Sequence, residues 1–261
     1  MKKLLLLLLF IPLMSIGQLN IESKYLPPDG YFRVFNDDYS KFIRQFPLKV
    51  DNRVQRSDGS FKDNFIWSAV FDYDLGTNKA HQCADAVIYF NAMFKYNRGL
   101  LKELQYHFTN GEITKYQHWL DGVIYTIDVD KSWILHKKWG PKRVDNIKTF
   151  KNWIKTVWQW AGTKSLPFDT KSVNINDMMP GDIFNSNGHA ITVVDVVVNR
   201  LSGHKKYLLA QSYMRDIYTG EETHILINPS NSEIWYDLSS EKIINTPEWS
   251  FMPTDLVRFK L

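Results

Sequence analysis

One cysteine in 261 residues is where covalent chemistry could start. It lies in His81-Gln82-Cys83-Ala84-Asp85-Ala86, and an apolar helical stripe of Cys83, Val87, Phe90 and Phe94 runs on from it. The predicted helix opens near His81 and ends near Arg98, with Thr77 or Asn78 as its cap and Asp85 on its surface. Sulfur near a helix N-terminus feels the positive end of the helix dipole, which favours the nucleophilic thiolate. An adjacent imidazole would favour it further. The candidate is His189, which follows Asn187-Gly188 and opens a predicted strand running to Val198. The next predicted strand, Lys206 to Tyr213, carries Gln211 and Ser212 in an otherwise apolar run. Gln211 is the candidate orienter, because its amide oxygen can accept from imidazole N–H and hold the ring in place. Cys83, His189 and Gln211 would then act as nucleophile, general base then acid, and orienter. The Cys83 backbone N–H would hold the oxyanion, partnered by Gln82 or Tyr73. The competing reading makes Cys83 a small buried hydrophobe.

The elements that must position these groups can be read from periodicity and turn residues. Asp37 caps a predicted helix that Pro47 stops, and Ser57-Asp58-Gly59 reads as a hairpin tip. Phe65 to Asp74, Leu104 to Thr109 and Val123 to Ile127 read as strands, the second turned by Asn110-Gly111. Ile113 to Trp119 fits either type. Asn146 to Ala161 is helical, closed by Gly162. From Ser172 onward strands dominate: Ile183-Phe184, a turn over 185–188, the two long strands joined at Ser202-Gly203, then His224 to Ile227 and Glu248 to Lys260. The expected class is α+β, a central helix packed on an antiparallel sheet with inserted helical elements.

Composition removes several functions. A lone cysteine allows no internal disulfide and no cysteine-based metal cluster, and His118, His136, His204 and His224 lack metal-ligand spacing. No metal or organic cofactor is expected. Formal net charge is +4, too little and too scattered for nucleic acid. At 44% hydrophobic and 15% aromatic the chain can bury a core. Its nine tryptophans fall mostly in amphipathic runs, which favours packing over sugar stacking.

Met1-Lys2-Lys3, the apolar run Leu4 to Met14 and Ser15-Ile16-Gly17 make residues 1–17 a predicted signal peptide, cleaved before Gln18. No cysteine follows the apolar run, so no lipid anchor is expected, and no later stretch is long enough for a membrane span. The expectation is a periplasmic or secreted protein, with residues 18–261 as a single domain.

Order and local form resemble papain-like thiol hydrolases of the NlpC and CHAP type. The residues that carry this are Cys83 first, then Gly181-Asp182-Ile183-Phe184, Gly188-His189-Ala190 and Gln211. The resemblance implies a papain-like core, a cysteine peptidase or amidase activity, and an amide substrate, with cell-wall stem peptides expected in a periplasm. Gln82 stands where NlpC-type enzymes usually carry Asp, and the long span before His189 implies an inserted subdomain. A non-catalytic binding module and a thiol-dependent acyltransferase are the alternative functions. A second likeness runs through nearly the whole chain. Gln82-Cys83-Ala84-Asp85-Ala86, His107-Phe108-Thr109-Asn110-Gly111, Ala161-Gly162-Thr163-Lys164-Ser165-Leu166, Pro180-Gly181-Asp182-Ile183-Phe184 and Leu209-Ala210-Gln211-Ser212-Tyr213-Met214 resemble the exported bacterial family known as domain of unknown function 4846. It implies an exported protein of a Gram-negative host.

Overall fold

A computed structural model describes residues 18–73, 82–131, 134–186, 188–216, 219–238 and 242–260. The expected leader and the residues His81, Thr77, Asn78 and Asn187 lie outside the described residues. Nine strands form the main sheet: β1 (Tyr31–Arg33), β2 (Trp67–Val70), β3 (Thr170–Ser172), β4 (Ile183–Ser186), β5 (His189–Asn199), β6 (Lys205–Gln211), β7 (His224–Leu226), β8 (Tyr236–Asp237) and β9 (Leu256–Phe259). Their order is β2-β7-β6-β5-β4-β9-β3, with β1 pairing the far end of β5 and β8 the far end of β6. Every pairing is antiparallel. The class is therefore α+β with a mainly antiparallel sheet.

β5 is apolar on both sides because both faces of the sheet are covered. Ala190, Val194, Val197, Leu208, Ala210 and Ile225 join the core shared with the helices. Ile191, Val193, Val196, Tyr207, Leu209 and Leu226 join a second core with Phe184, Tyr236 and Phe251. The alternation slips once. Leu208 pairs with Asp195 and Leu209 with Val193, which leaves Val194 as the extra residue of a bulge. Asp195, fully buried, accepts from Arg33 Nε at 2.7 Å and lies 3.8 Å from Arg44. A buried carboxylate needs such partners.

The helices that cover the first face are α1 (Asp38–Gln45), α2 (Cys83–Asn97) and α3 (Ile147–Trp160). Asp37 and Asn146 cap α1 and α3 through their side-chain oxygens, which accept from Ser40 and Thr149 N–H. Among the described residues Trp67, Trp153, Trp158 and Trp235 are buried, Trp119, Trp160 and Trp249 are half-buried against the apolar clusters, and Trp139 is exposed. No helix among the described residues is long and apolar enough to cross a membrane.

Several predicted spans shorten. Of the strand expected over Phe65 to Asp74, whose last residue lies outside the described residues, the described part forms Trp67–Val70, with Phe65 at a positive φ of 37° bending the chain before it. Leu104 to Thr109 reduces to Gln105–His107, and the ambiguous Ile113 to Trp119 splits into a short strand and one helical stretch. The long terminal strand expected from Glu248 is interrupted: Ser250–Phe251, a turn over Pro253–Asp255, then β9. Proline has no N–H for the ladder, which accounts for the break.

The Pro180-Gly181-Asp182 island is architectural. Gly181 has φ +97°, and a Cβ there would meet Tyr39 Cε1 at 2.5 Å. Asp182, fully buried, accepts from Arg258 Nη2 at 2.9 Å and from Met179 N–H at 2.9 Å. Gly181→Ala is therefore expected to destabilise the fold by about 1–3 kcal/mol through clash and left-handed strain. Urea unfolding would show this as a lower midpoint, and an unchanged midpoint would contradict the packing argument.

Candidate active site

Helix α2 begins at Cys83, two residues beyond the expected opening near His81, and Gln82 rather than Thr77 or Asn78 is its cap. Gln82 is extended, and its backbone N–H donates to Asp85 Oδ2 at 2.6 Å. That contact closes the first turn, so Cys83 is the first helical residue. Asp85 is buried rather than on the surface, because its carboxyl serves this cap beneath α3. Burial drives its pKa well above the usual carboxyl range, against the opposing Gln82 N–H.

The thiol is 4% exposed. Its Sγ lies 3.9 Å from the Gly188 carbonyl oxygen, and the Ala190 N–H also interacts with sulfur. Cys83 therefore docks on the backbone at the mouth of β5. The expected depression of the thiol pKa does not occur. Burial pushes it up to about 11, the Asp85 charge adds to this, and backbone N–H donors oppose it without prevailing.

His189 is 3% exposed. Its Nε2 is 3.0 Å from Gln211 Oε1. The ring packs against Tyr213 at 5.1 Å, Trp249 at 5.4 Å and Phe251 at 6.0 Å between centroids. Phe251 belongs to the core away from the helices, whereas the next residue, Ala190, belongs to the core beneath them. The structure thus joins His189 to Gln211 directly, and joins Cys83 to the peptide units flanking His189. Among the described residues no hydrogen bond links sulfur to either ring nitrogen. Burial pushes the imidazole pKa down to about 4, partly offset by Gln211 and by the Glu248 charge. At neutral pH both groups are uncharged. Of the two expected oxyanion partners, Gln82 adjoins the thiol as N-cap, whereas Tyr73 directs its hydroxyl to the Thr223 hydroxyl and stacks on Tyr89.

A buried polar cluster extends the pair. Gln211 Nε2 donates to Glu248 Oε2 and is 3.5 Å from His224 Nε2. Lys62 Nζ bridges Glu248 at 2.6 Å and Glu221 at 2.7 Å, and Arg56 Nε reaches Glu221 at 3.1 Å. His224 Nδ1 is 2.7 Å from the Glu222 carbonyl oxygen. Sequence reading missed Lys62, Glu221, His224 and Glu248, which come from separate segments with no spacing to connect them. Glu221, His224 and Glu248 present ligand atoms within 4.8 Å of one another. The Lys62 ammonium already bridges the two carboxylates, so the set does not suit a metal ion.

The family model described as domain of unknown function (4846) matches residues 21–258. No curated protein and no solved structure matches the chain.

The buried pair has a pH signature. His189 and His224 are each held near 4 rather than 6.5, chiefly by burial. Imidazole proton resonances of the folded protein are expected to titrate near that lower value. Each histidine then contributes stability that is present above 6.5 and lost as pH falls through about 4. Cys83 has the opposite sign: its contribution is present below 9.0 and lost as pH rises through about 11. Histidine midpoints near 6.5 in the folded state would overturn this account.

Proposed function

We propose that this chain, which belongs to the domain of unknown function (4846) family, is an exported thiol hydrolase of amide bonds built on a papain-like arrangement. The observation that carries the reading is the 3.0 Å contact of His189 Nε2 with Gln211 Oε1, at the mouth of the strand whose backbone seats the sulfur of a helix-N-terminal cysteine. Nucleophile, base and orienter follow one another along the chain as Cys83, His189 and Gln211.

The resting pair is neutral, so His189 must take the thiol proton during attack rather than before it. Catalysis then requires sulfur and imidazole to come into contact as substrate enters. Sulfur forms a bond to the carbonyl carbon, and the oxyanion is held by the Cys83 N–H at the start of α2. The imidazolium gives its proton to the departing amine as the C–N bond breaks, which leaves a thioacyl enzyme. Water, deprotonated by the same imidazole, releases the carboxylic acid and restores the thiol. With export to a periplasm, peptidoglycan stem peptides are the substrate class.

One observation favours a second reading. Burial of the thiol, with its pKa at about 11, suits a binding module that keeps the scaffold without turnover.

Incubation of the purified protein with Gram-negative sacculi, followed by mass spectrometry of released peptides, separates the two. Peptide release is expected, reduced at least about a hundredfold in Cys83→Ala and in His189→Ala. Co-sedimentation with sacculi without release by any form would support the binding module. For export itself, the mature protein recovered from the periplasm is expected to begin at Gln18. An intact Met1 on protein retained in the cytoplasm would overturn that part of the proposal.

A further inference from the structure

We infer that Glu248 is a positioning residue that fixes, through the Gln211 amide, which nitrogen of His189 carries the proton. The argument starts at the far end of the cluster. His224 Nδ1 lies 2.7 Å from the Glu222 carbonyl oxygen, and a carbonyl can only accept, so Nδ1 is protonated and Nε2 of His224 holds a lone pair. Gln211 Nε2 faces that lone pair at 3.5 Å and also meets the Glu248 carboxylate. Lys62 Nζ donates to Glu248 at 2.6 Å and to Glu221 at 2.7 Å, so the Glu248 carboxylate stands as an acceptor in this cluster.

Both groups on this side of the amide are therefore acceptors. Only the NH2 of Gln211 suits them. The flipped amide would set its oxygen against a carboxylate and an imidazole lone pair, in a site where Gln211 is 1% exposed and water cannot compensate. With NH2 held there, Oε1 must face His189, 3.0 Å from Nε2. Nε2 of His189 then donates, and Nδ1 is its basic nitrogen. The two histidines hold opposite tautomers, each dictated by an acceptor it cannot exchange.

The consequence for catalysis rests on the hydrolase reading: Nδ1 is the atom that receives the thiol proton. The tautomers can be measured without turnover. Nitrogen-15 spectra of imidazole-labelled protein at pH 7 distinguish protonated from lone-pair nitrogens, and His189→Gln and His224→Gln assign the signals. The expected result is Nε2–H for His189 and Nδ1–H for His224. In Glu248→Gln the replacement amide can donate or accept, so His189 is expected to show both tautomers. Glu248→Asp retains a carboxylate and is expected to preserve the single form.

An Nδ1–H tautomer of His189 in the unaltered protein overturns the inference, whatever the variants do. An unchanged single tautomer in folded Glu248→Gln overturns it as well. If the tautomers are as stated but sacculi are not cleaved, the positioning role of Glu248 stands and the hydrolase reading falls. If sacculi are cleaved with the opposite tautomer, the reverse holds.

Discussion

The closure of Asp85 onto the Gln82 N–H fixes where α2 begins, and the rest of the sulfur's surroundings depends on that. With the helix starting at Cys83, the thiol points into the seam between the helix and the mouth of β5. Two effects then compete for its proton. A helix N-terminus is worth about 0.3–1 kcal/mol in favour of the thiolate. Removal from water raises the thiol from 9.0 to about 11, which corresponds to roughly 3 kcal/mol the other way. Burial wins. The sequence argument from the dipole had the right position and the wrong sign, because it left out the burial that the apolar stripe through Cys83 already implied.

The polar cluster beside Gln211 obeys a different economy. Lys62, Glu221, Arg56 and Glu248 form a chain of alternating charges in the interior. Such groups lose much hydration, and mutual attraction repays it only when every member is matched. Here each carboxylate has a cation, and Gln211 takes a remaining Glu248 oxygen. The same condition governs Asp195 between Arg33 and Arg44, and Asp182 against Arg258. These partners arrive from distant parts of the chain. Loss of one member leaves its counterpart buried and uncompensated, which ties the strands' positions to one another.

Legibility followed the reach of each signal. α1 and α3 were readable because a capping residue, an apolar period and a stop signal all lie within a few turns. β5 and β6 were readable from their uninterrupted apolar runs, and Gln211 stood out as an unusual residue in one of them. Phe65 and Pro253 ended strands where residue preference alone would have carried them further. The pairing of His189 with Gln211 was recoverable because a hairpin joins their strands. Lys62, Glu221, His224 and Glu248 left no trace, since their relation exists only after β2, β7 and the segment before β9 have come together.

The sheet's strand order also limits how this polypeptide can be built. β2 lies at one margin against β7, and β1 leans on the end of β5, so early segments wait for partners that leave the ribosome much later. The large core beneath the helices draws its members from both halves of the chain. High contact order of this kind makes folding slow and concerted, and leaves a long interval in which unpaired apolar segments can meet those of another nascent chain. Holdase chaperones would act most usefully in that interval, and fragments ending before His224 would emerge as aggregates rather than as smaller folded units.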